Sequence, residues 1–385
     1  LVLAGAVVGD ARLAAIDAPA RLVDDGAEVT VRAHLVSHPR ANPFGASAEI
    51  AIARGPLAGA RLLLRIPRWA PLPGRPRLGA EYVLTGRLRE LPDPRPESPS
   101  TDTDRSRSSA SSFDFAAHLR RRAIHGELLL DRARRTDRRR GGLAGLLDRL
   151  RERAEGGVAA GLADAEAALA RGMVLGQDER IDDATRADWR DSGLAHLLAV
   201  SGQNVMLLVA LALPFIALAG TGPRARGLAL LALVLLYVPL AGAGPSLQRA
   251  GIMGAAAIAA TLVSRPSSAW YALLLAAAAT LALNPRACAD PGWQLSFAAV
   301  AGILLAGRPL GAVLVRGIEE IVRGRVALAL ARGLGEGAAI TLAATVSTAP
   351  LVALHFGSVP IAGLPANLVA LPAVAPAMWL GMVKA

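Results

Sequence analysis

The chain has 385 residues, of which 53% are hydrophobic and only 4% aromatic, and its formal net charge is +11. Its single cysteine, Cys288, excludes an intrachain disulfide and a thiolate metal cluster. The acidic residues are unevenly distributed, because residues 194–385 contain four of them against eleven Arg and Lys in an otherwise apolar sequence. The composition predicts a soluble first half and a basic, membrane-embedded second half, and the positive charge suits anionic lipids and polyanionic cargo alike.

The chain opens with the apolar run LVLAGAVV and then reaches Asp10 and Arg12. This run is too short to cross a bilayer, and it has neither the basic start nor the cleavage site of a signal peptide. Residues 1–20 are therefore predicted to be the tail of an N-terminal membrane segment whose beginning is missing.

Residues 21–140 change to a two-residue hydrophobic period, which is typical of β-strands. Five strands are predicted, at Glu28–Val36, Ala48–Arg54, Ala60–Ile66, Glu81–Leu88 and Ile124–Asp131. Five short strands favour a small barrel like the oligonucleotide-binding (OB) fold, which holds single strands by stacking bases on aromatic rings. Only Phe44, Trp69 and Tyr82 offer such rings in the strand region, so a barrel that packs without a ligand stays an equal alternative.

Between the last two predicted strands, residues 91–112 have almost no apolar side chains, which predicts a disordered insertion. The run Arg120–Arg140 then contains nine Arg and three acidic residues. Such a run can contact DNA phosphates, lie against anionic lipid headgroups or be solvated. The candidate DNA-binding residues in it are Arg120, Arg121, Arg122, Arg138, Arg139 and Arg140.

Apolar residues at helical spacing predict a helical neck over residues 141–193 and a polytopic α-helical membrane domain over 194–385. About seven apolar segments are predicted, at 194–219, 226–243, 246–264, 268–284, 292–307, 335–356 and 359–383. Residues 310–332 differ, because apolar and charged residues alternate there at helical spacing. This segment is predicted to form an amphipathic helix along the membrane interface.

Loop charges predict the orientation in the cell (inner) membrane. If successive segments cross the bilayer, one face receives only Arg286, with Asp290 beside it. The other face receives Arg224, Arg226, Arg265, Arg308, Arg316, Arg323, Arg325, Arg332 and Lys384. By the positive-inside rule this second face is cytoplasmic, and residues 21–140 are extracytoplasmic because long domains translocate largely regardless of charge.

Two groups of polar side chains interrupt the apolar segments, and each group would need partners where water is absent. The first group contains His196, Ser201, Gln203 and Asn204. The second contains Gln248, Arg249, Asp290, Trp293, Gln294 and Ser296. A polar lining of a membrane path is favoured over satisfied core groups. Arg249 either contacts a phosphate or pairs with Asp290.

Four stretches, in order along the chain, resemble the ComEC family of competence proteins, the inner-membrane channels for DNA uptake. They are FDFAAHLRRRAIHGEL (113–128), GMVLGQDERIDDATRADWRDSGLAHLLAVSGQNVMLL (172–208), GAGPSLQRAGIM (242–253) and DPGWQLSFAAVAGI (290–303). The resemblance implies an OB-like external domain, a polytopic competence domain and passage of one DNA strand into the cytoplasm.

The sequence differs from the family pattern in two ways. Asn204 stands where the family often has His, which disfavours proton transfer there and leaves hydrogen bonding. Many members also continue into a metallo-β-lactamase-like domain. This sequence stops at Ala385 without a His-x-His-x-Asp-His motif, so it is interpreted as a fragment that lacks that domain.

The predicted function is a channel component that moves single-stranded DNA into the cytoplasm during natural transformation, without enzymatic activity, metal or cofactor. The expected partners are single-stranded DNA, membrane lipids, other proteins of the DNA-uptake machinery and, in a homo-oligomer, a second copy of the chain. The alternative is a polytopic membrane enzyme that acts on a lipid-linked or polymeric anion through His196, Ser201 and Asp290. A nuclease is disfavoured, because the six His are scattered along the sequence.

Overall fold

The computed structural model describes residues 2–55, 57–91, 114–198, 201–321, 325–357 and 363–385. The fold is mostly helical, with one β-sheet near the N-terminus. The chain divides into two compact units. The N-terminal unit contains residues 1–154 and 282–286, and the membrane unit contains residues 155–281 and 287–385.

Helix α1 (Val2–Asp17) and a short 3-10 turn lead into the strands of the N-terminal unit. The strands are β1 Glu28–Leu35, β2 Arg40–Asn42, β3 Gly45–Arg54, β4 Arg61–Pro67, β5 Ala80–Glu90 and β6 Gly126–Arg139, with helix α2 Phe115–Arg121 before the last. β4 is apolar on both faces, because Leu62 and Leu64 enter the main core while Leu63 packs against Leu119 of α2. A fully buried Leu of this kind contributes about 1.5–3 kcal/mol to the free energy of unfolding.

The strands form one six-stranded sheet in the order β1-β5-β6-β4-β3-β2, and β1 also pairs with β3. All pairings are antiparallel except the one between β4 and β6. The core lies between the inward-facing alternate residues and includes Tyr82, which is 2% exposed. The prediction of a small β unit ahead of a mostly helical unit is confirmed, whereas the predicted barrel is corrected, in the described part of the chain, to a sheet that is not a closed barrel.

The structure corrects the predicted strand set in two places. β2 is an additional strand, which has no hydrophobic pattern of its own and is held by its pairing with β3. β6 continues past Asp131 to Arg139, because its ladder with β5 sets Tyr82 opposite Arg135 and Val83 opposite Arg134. Pairing with a neighbouring strand thus overrides the charged sequence. The predicted insertion lies, from residue 92 onward, outside the described residues.

Three helices occupy the predicted neck: α3 Gly142–Ala159, α4 Asp164–Leu175 and α5 Asp183–Asp191. The Asp182 carboxylate caps α5 by accepting a hydrogen bond from the Thr185 backbone N–H at 2.8 Å. Gly176 ends α4 with a φ of +70°, a conformation that glycine adopts without steric cost. The boundary between the two units falls within α3.

The remaining helices of the membrane unit follow at short intervals. They are α6 Ala195–Leu198, α7 Gly202–Leu218, α8 Pro223–Leu240, α9 Pro245–Leu262, α10 Ala269–Leu283, α11 Pro291–Gly302, α12 Arg308–Ile321, α13 Arg325–Phe356 and α14 Gly363–Lys384. By length and composition, three described stretches can cross a membrane: Pro223–Leu240, Pro291–Gly317 and Ala331–Phe356. Shorter apolar helices are Gly202–Leu218, Ala269–Leu283 and Ala373–Lys384.

One of these spans joins two segments that the sequence separates. A π-helical turn at Ile303–Gly307 connects α11 to α12, so that the apolar helix continues over 27 residues to Gly317. The predicted amphipathic segment 310–332 is therefore divided between α12 and α13, and residues 322–324 lie outside the described part. An ion pair between Arg332 and Glu319, at 2.6 Å, links the two helices.

The connection after α10 belongs to the N-terminal unit. The Arg286 guanidinium donates two hydrogen bonds to the Asp17 carboxylate, at 2.7 and 2.6 Å. Arg12 Nε donates to the Leu283 carbonyl at 3.0 Å, and Asn284 Nδ2 donates to the Arg121 carbonyl at 2.7 Å. These contacts fix residues 282–286 to α1 and to the end of α2.

Candidate functional site

Three helix N-termini of the membrane unit begin within the polar motifs of the sequence. α7 starts after Ser201, whose Oγ accepts from the Gln203 backbone N–H at 3.2 Å. α11 starts after Asp290, whose carboxylate accepts from the Trp293 backbone N–H at 3.1 Å. α9 starts at Pro245 without a side-chain cap. Because the connections from α7 to α11 are short, successive helices alternate in direction, and α7, α9 and α11 begin at the same end of the bundle.

Side-chain contacts confirm that these three N-termini meet. Ser246 Oγ of α9 and Ser296 Oγ of α11 are hydrogen bonded at 2.9 Å. A Cβ atom added to Gly202, the first residue of α7, would lie 3.0 Å from Arg249 Nη2 of α9. The first and second polar groups of the sequence are therefore brought together at one end of the membrane unit. This end also carries a partial positive charge, because helix N-termini expose backbone N–H groups.

Arg249 lies at the centre of this arrangement. Its side chain is only 7% exposed, and its Nε and Nη1 atoms have no hydrogen-bond partner among the described residues. The guanidinium carbon lies 6.0 Å from the centre of the Phe297 ring, a cation–π distance. Within the described parts of the chain, no ion pair joins Arg249 to Asp290 or to another carboxylate, which removes the predicted structural pairing. A buried guanidinium without a counter-charge is costly.

Asn204 and Gln203 lie in different surroundings although they are consecutive. Asn204 is buried, and its Nδ2 donates to the Met173 carbonyl at 2.6 Å and to the Tyr237 hydroxyl at 3.4 Å. The Tyr237 hydroxyl in turn donates to the Val174 carbonyl at 2.7 Å. Asn204 thus joins α7 to the end of α4 and to α8. The Gln203 side chain is half-buried in the first turn of α7.

The second polar group is mostly engaged in local bonds. Gln248 Nε2 donates to the Ala243 carbonyl at 2.7 Å, and Trp293 Nε1 donates to Thr280 Oγ1 at 2.9 Å. The Trp293 ring stacks on Phe297, with 4.2 Å between the ring centres. Gln294 Nε2 donates to the Cys288 carbonyl at 2.8 Å. Gln248, Trp293 and Gln294 therefore each have a hydrogen-bond partner. Arg249 differs from them, because two of its nitrogens have none among the described residues.

Sequence reasoning missed several residues of this site. His355, at the end of α13, lies 2.7 Å from Gln294 Oε1 through its Nε2 atom. Tyr237 and Phe297 are single aromatic residues within apolar helices, so no spacing pattern marked them. A lone Tyr in an apolar run was nevertheless a signal, because its hydroxyl needs a partner.

The groups proposed for the alternative enzyme have separate local partners. Ser201 and Asp290 cap helices, as described above, and the exposed His196 places its Nδ1 atom 3.1 Å from the Gly193 carbonyl. Among the described residues, no group of three or more His, Cys, Asp or Glu side chains is placed to hold a metal ion.

The basic run of the N-terminal unit is divided between two places. Arg120 and Arg121 end α2, and Arg122 pairs with the buried Glu49 at 2.6 Å. Arg138 and Arg139 end β6, and Arg139 pairs with Glu152 at 3.0 Å. Arg140 lies 3.9 Å from Asp148, a carboxyl whose pKa is raised by burial against the pull of this arginine. The six arginines therefore do not form one continuous strip.

Comparison with known proteins places the membrane unit in a family. A family model described as Competence protein matches residues 173–385, which contain the three meeting N-termini and Arg249. No curated protein and no solved structure matches the chain. Because the match covers more than half of the sequence, the chain belongs to the competence protein family, as a protein of the ComEC type.

Proposed function

We propose that the membrane unit conducts single-stranded DNA into the cytoplasm along a path that passes Arg249. Membership in the competence protein family indicates a role in DNA uptake during competence. The observation that carries the finer proposal is the buried Arg249 guanidinium, which forms no ion pair with any described residue although it lies where three helix N-termini meet. A passing phosphate would supply the ion-pair partner that Arg249 lacks among those residues.

The groups at this site can bind a phosphate and also release it, as transport of a DNA strand requires. Backbone N–H groups at helix N-termini and a guanidinium both donate hydrogen bonds to phosphate oxygens. One guanidinium, with the Ser246 and Ser296 hydroxyls at the same helix ends, would hold a phosphate less tightly than several cations would. Successive phosphates could therefore exchange at this point as the strand advances.

The same proposal places the meeting point at the extracytoplasmic face. Of the basic residues that the positive-inside rule assigns to the cytoplasm, Arg224 and Arg265 lie beyond the C-terminal ends of α7 and α9, opposite the three N-termini. Arg286, the one basic loop residue on the outer face, is neutralised by its two hydrogen bonds to Asp17. The DNA path would then begin outside, at Arg249, with residues 21–140 also outside the cell membrane.

For the N-terminal unit we propose an OB-like fold. Its support is the order of pairings, in which β1 pairs with β3, β3 with β4, β4 in parallel with β6, β6 with β5, and β5 with β1. The OB fold is a five-stranded, partly open barrel, and here five strands are linked by four antiparallel pairings and one parallel pairing.

Substitutions of Arg249 test the proposed path. Arg249→Leu should lower uptake of labelled DNA into the nuclease-protected cytoplasmic pool by about tenfold or more, and Arg249→Lys should lower it less because the charge survives. Arg265→Leu, at an exposed loop on the opposite end of the helices, is the matched control. Because Arg249→Leu removes an uncompensated buried charge, the thermal unfolding temperature of the purified variant should be unchanged or higher.

The stability measurement separates a path residue from a structural one. A structural arginine would give lower uptake together with a lower unfolding temperature and less protein in the membrane. Normal uptake by Arg249→Leu at wild-type protein levels would show that the strand does not pass this side chain.

A further inference from the structure

Two aromatic side chains are exposed at one end of the N-terminal sheet. Phe44, in the turn between β2 and β3, is 87% exposed, and Trp69, just after β4, is 68% exposed. The two turns are neighbours, because the pairing of β3 with β4 sets Gly45 opposite Pro67. Phe44, Trp69 and the exposed Arg68 between them are called the aromatic tip below.

The backbone holds the aromatic tip in place. Asn42 Oδ1 accepts a hydrogen bond from the Phe44 backbone N–H at 3.0 Å. Gly45 adopts a φ of +149°, and a Cβ atom there would lie 3.1 Å from the Arg68 backbone nitrogen. The two chain segments can approach this closely only because residue 45 is glycine. Phe44 is therefore presented outward by a fixed turn.

The charge around the aromatic tip is positive. Residues 29–48 and 50–80, which include both turns, contain no Asp or Glu. Arg68 directly precedes Trp69 and is exposed. Arg65 of β4 lies 5.5 Å from the centre of the Phe115 ring, but its guanidinium is already paired with Glu127 at 2.6 Å, which leaves Arg68 as the arginine of the tip. Arginines interleaved with exposed rings are the arrangement by which proteins hold single-stranded nucleic acid, since bases stack on the rings while guanidinium groups contact phosphates.

A lipid surface is the other class of partner that accepts Trp and Arg. A tip that enters lipid needs a contiguous apolar surface, whereas Asn42 and Arg68 adjoin the two rings here. These polar neighbours, together with the lack of Asp and Glu in residues 29–48 and 50–80, favour a polyanion whose bases are apolar and whose backbone is charged.

We propose that the aromatic tip is a stacking platform that selects single-stranded over duplex DNA, with Phe44 and Trp69 each taking an unpaired base and Arg68 contacting the backbone between them. Bases in a duplex are already stacked on one another and present no free face to the rings. This inference rests on DNA as the transported substrate, and it is independent of the path past Arg249.

Binding of defined oligonucleotides to the purified full chain in detergent tests the stacking platform. The probes are a fluorescent oligo(dT), an abasic oligomer of equal length that keeps the phosphates, and a duplex. The wild type should bind oligo(dT) about tenfold or more tightly than the abasic oligomer. The double variant Phe44→Ala/Trp69→Ala should lose this preference and keep its affinity for the abasic oligomer. The matched control is Leu143→Ala, an apolar residue of the same unit that is 81% exposed.

Three results would overturn the inference. In one, the double variant retains the wild-type preference for oligo(dT). In another, it loses affinity for both oligomers equally, which would indicate a change in charge or folding. In the third, brominated lipids quench the reconstituted protein less after Trp69→Phe, which would place the tip in lipid. Because this assay measures binding and the Arg249 assay measures uptake, either proposal can fail while the other stands.

Discussion

At the scale of single residues, the membrane unit separates groups that hold the fold from groups that remain available to a ligand. Asn204 and Tyr237 satisfy each other and the carbonyls at the end of α4. Two buried nitrogens of Arg249 have no hydrogen-bond partner among the described residues, and Gln203 is half-buried in the first turn of α7. Polar residues of the same two motifs therefore differ in role: Asn204 stabilises the fold through hydrogen bonds, whereas Arg249 can still bind a ligand.

This difference predicts opposite outcomes for two neighbouring substitutions. Asn204→Leu should lower the free energy of unfolding by about 1–3 kcal/mol, because the Met173 carbonyl loses its hydrogen-bond donor and the Tyr237 hydroxyl loses a neighbour. Gln203→Leu should leave the unfolding temperature within error of the wild type and lower DNA uptake. Thermal unfolding of the purified variants, with uptake measured at matched protein levels, checks both. A stable Asn204→Leu protein would mean that these hydrogen bonds contribute little.

The sequence predicted Arg249 as a candidate because a charge inside an apolar segment is costly wherever it lies. It could not predict that the charge would be unpaired, since Asp290 was an equally reasonable partner. The carbonyls that Asn204 contacts come from the end of α4, 31 residues earlier for Met173. Contacts to backbone atoms carry no residue signature, so only the folded chain reveals them.

At the scale of elements, hydrophobic runs predicted where helices lie better than where they end. The runs ending near 307 and starting near 310 were separated by Arg308 and Pro309, yet the π-helical turn Ile303–Gly307 carries α11 into α12. Gly302, which directly precedes this turn, packs closely against α13, where a Cβ atom would lie 2.9 Å from the Ala343 carbonyl oxygen. The sequence pattern therefore divides a helix that is continuous in the structure and packed against α13 at the turn.

The ion pair of Asp17 with Arg286 should couple α1 to the connection after α10. Its geometry is bidentate, but both side chains are partly exposed, so a coupling of only about 1 kcal/mol is expected from a double-mutant cycle with Asp17→Asn and Arg286→Gln. Thermal unfolding of the two single variants and the double variant measures it, with Arg265→Gln as the control for loss of a loop charge. Strictly additive effects of the two substitutions would show that the pair contributes nothing beyond each residue alone.

At the scale of the whole molecule, polar and basic groups gather at opposite ends of the membrane helices. The N-termini of α7, α9 and α11 supply the polar motifs, whereas Arg224 lies in the first turn of α8 and Arg265 in the connection after α9. In the proposed orientation the basic end would stay in the cytoplasm, and the polar end with Arg249 would face incoming DNA.

The native cysteine allows this orientation to be tested with little change to the protein. Cys288 is exposed and lies in the connection between α10 and α11, at the polar end. In intact cells or spheroplasts, an impermeant maleimide should label the wild-type chain nearly completely. The variant Cys288→Ser/Arg265→Cys moves the only thiol to an exposed loop at the basic end, and it should be labelled only after the membrane is permeabilised.

Labelling of both proteins from outside would contradict the separation of the two ends by the bilayer. Labelling of the variant alone would invert the orientation and place the meeting point of the three N-termini at the cytoplasmic exit of the path.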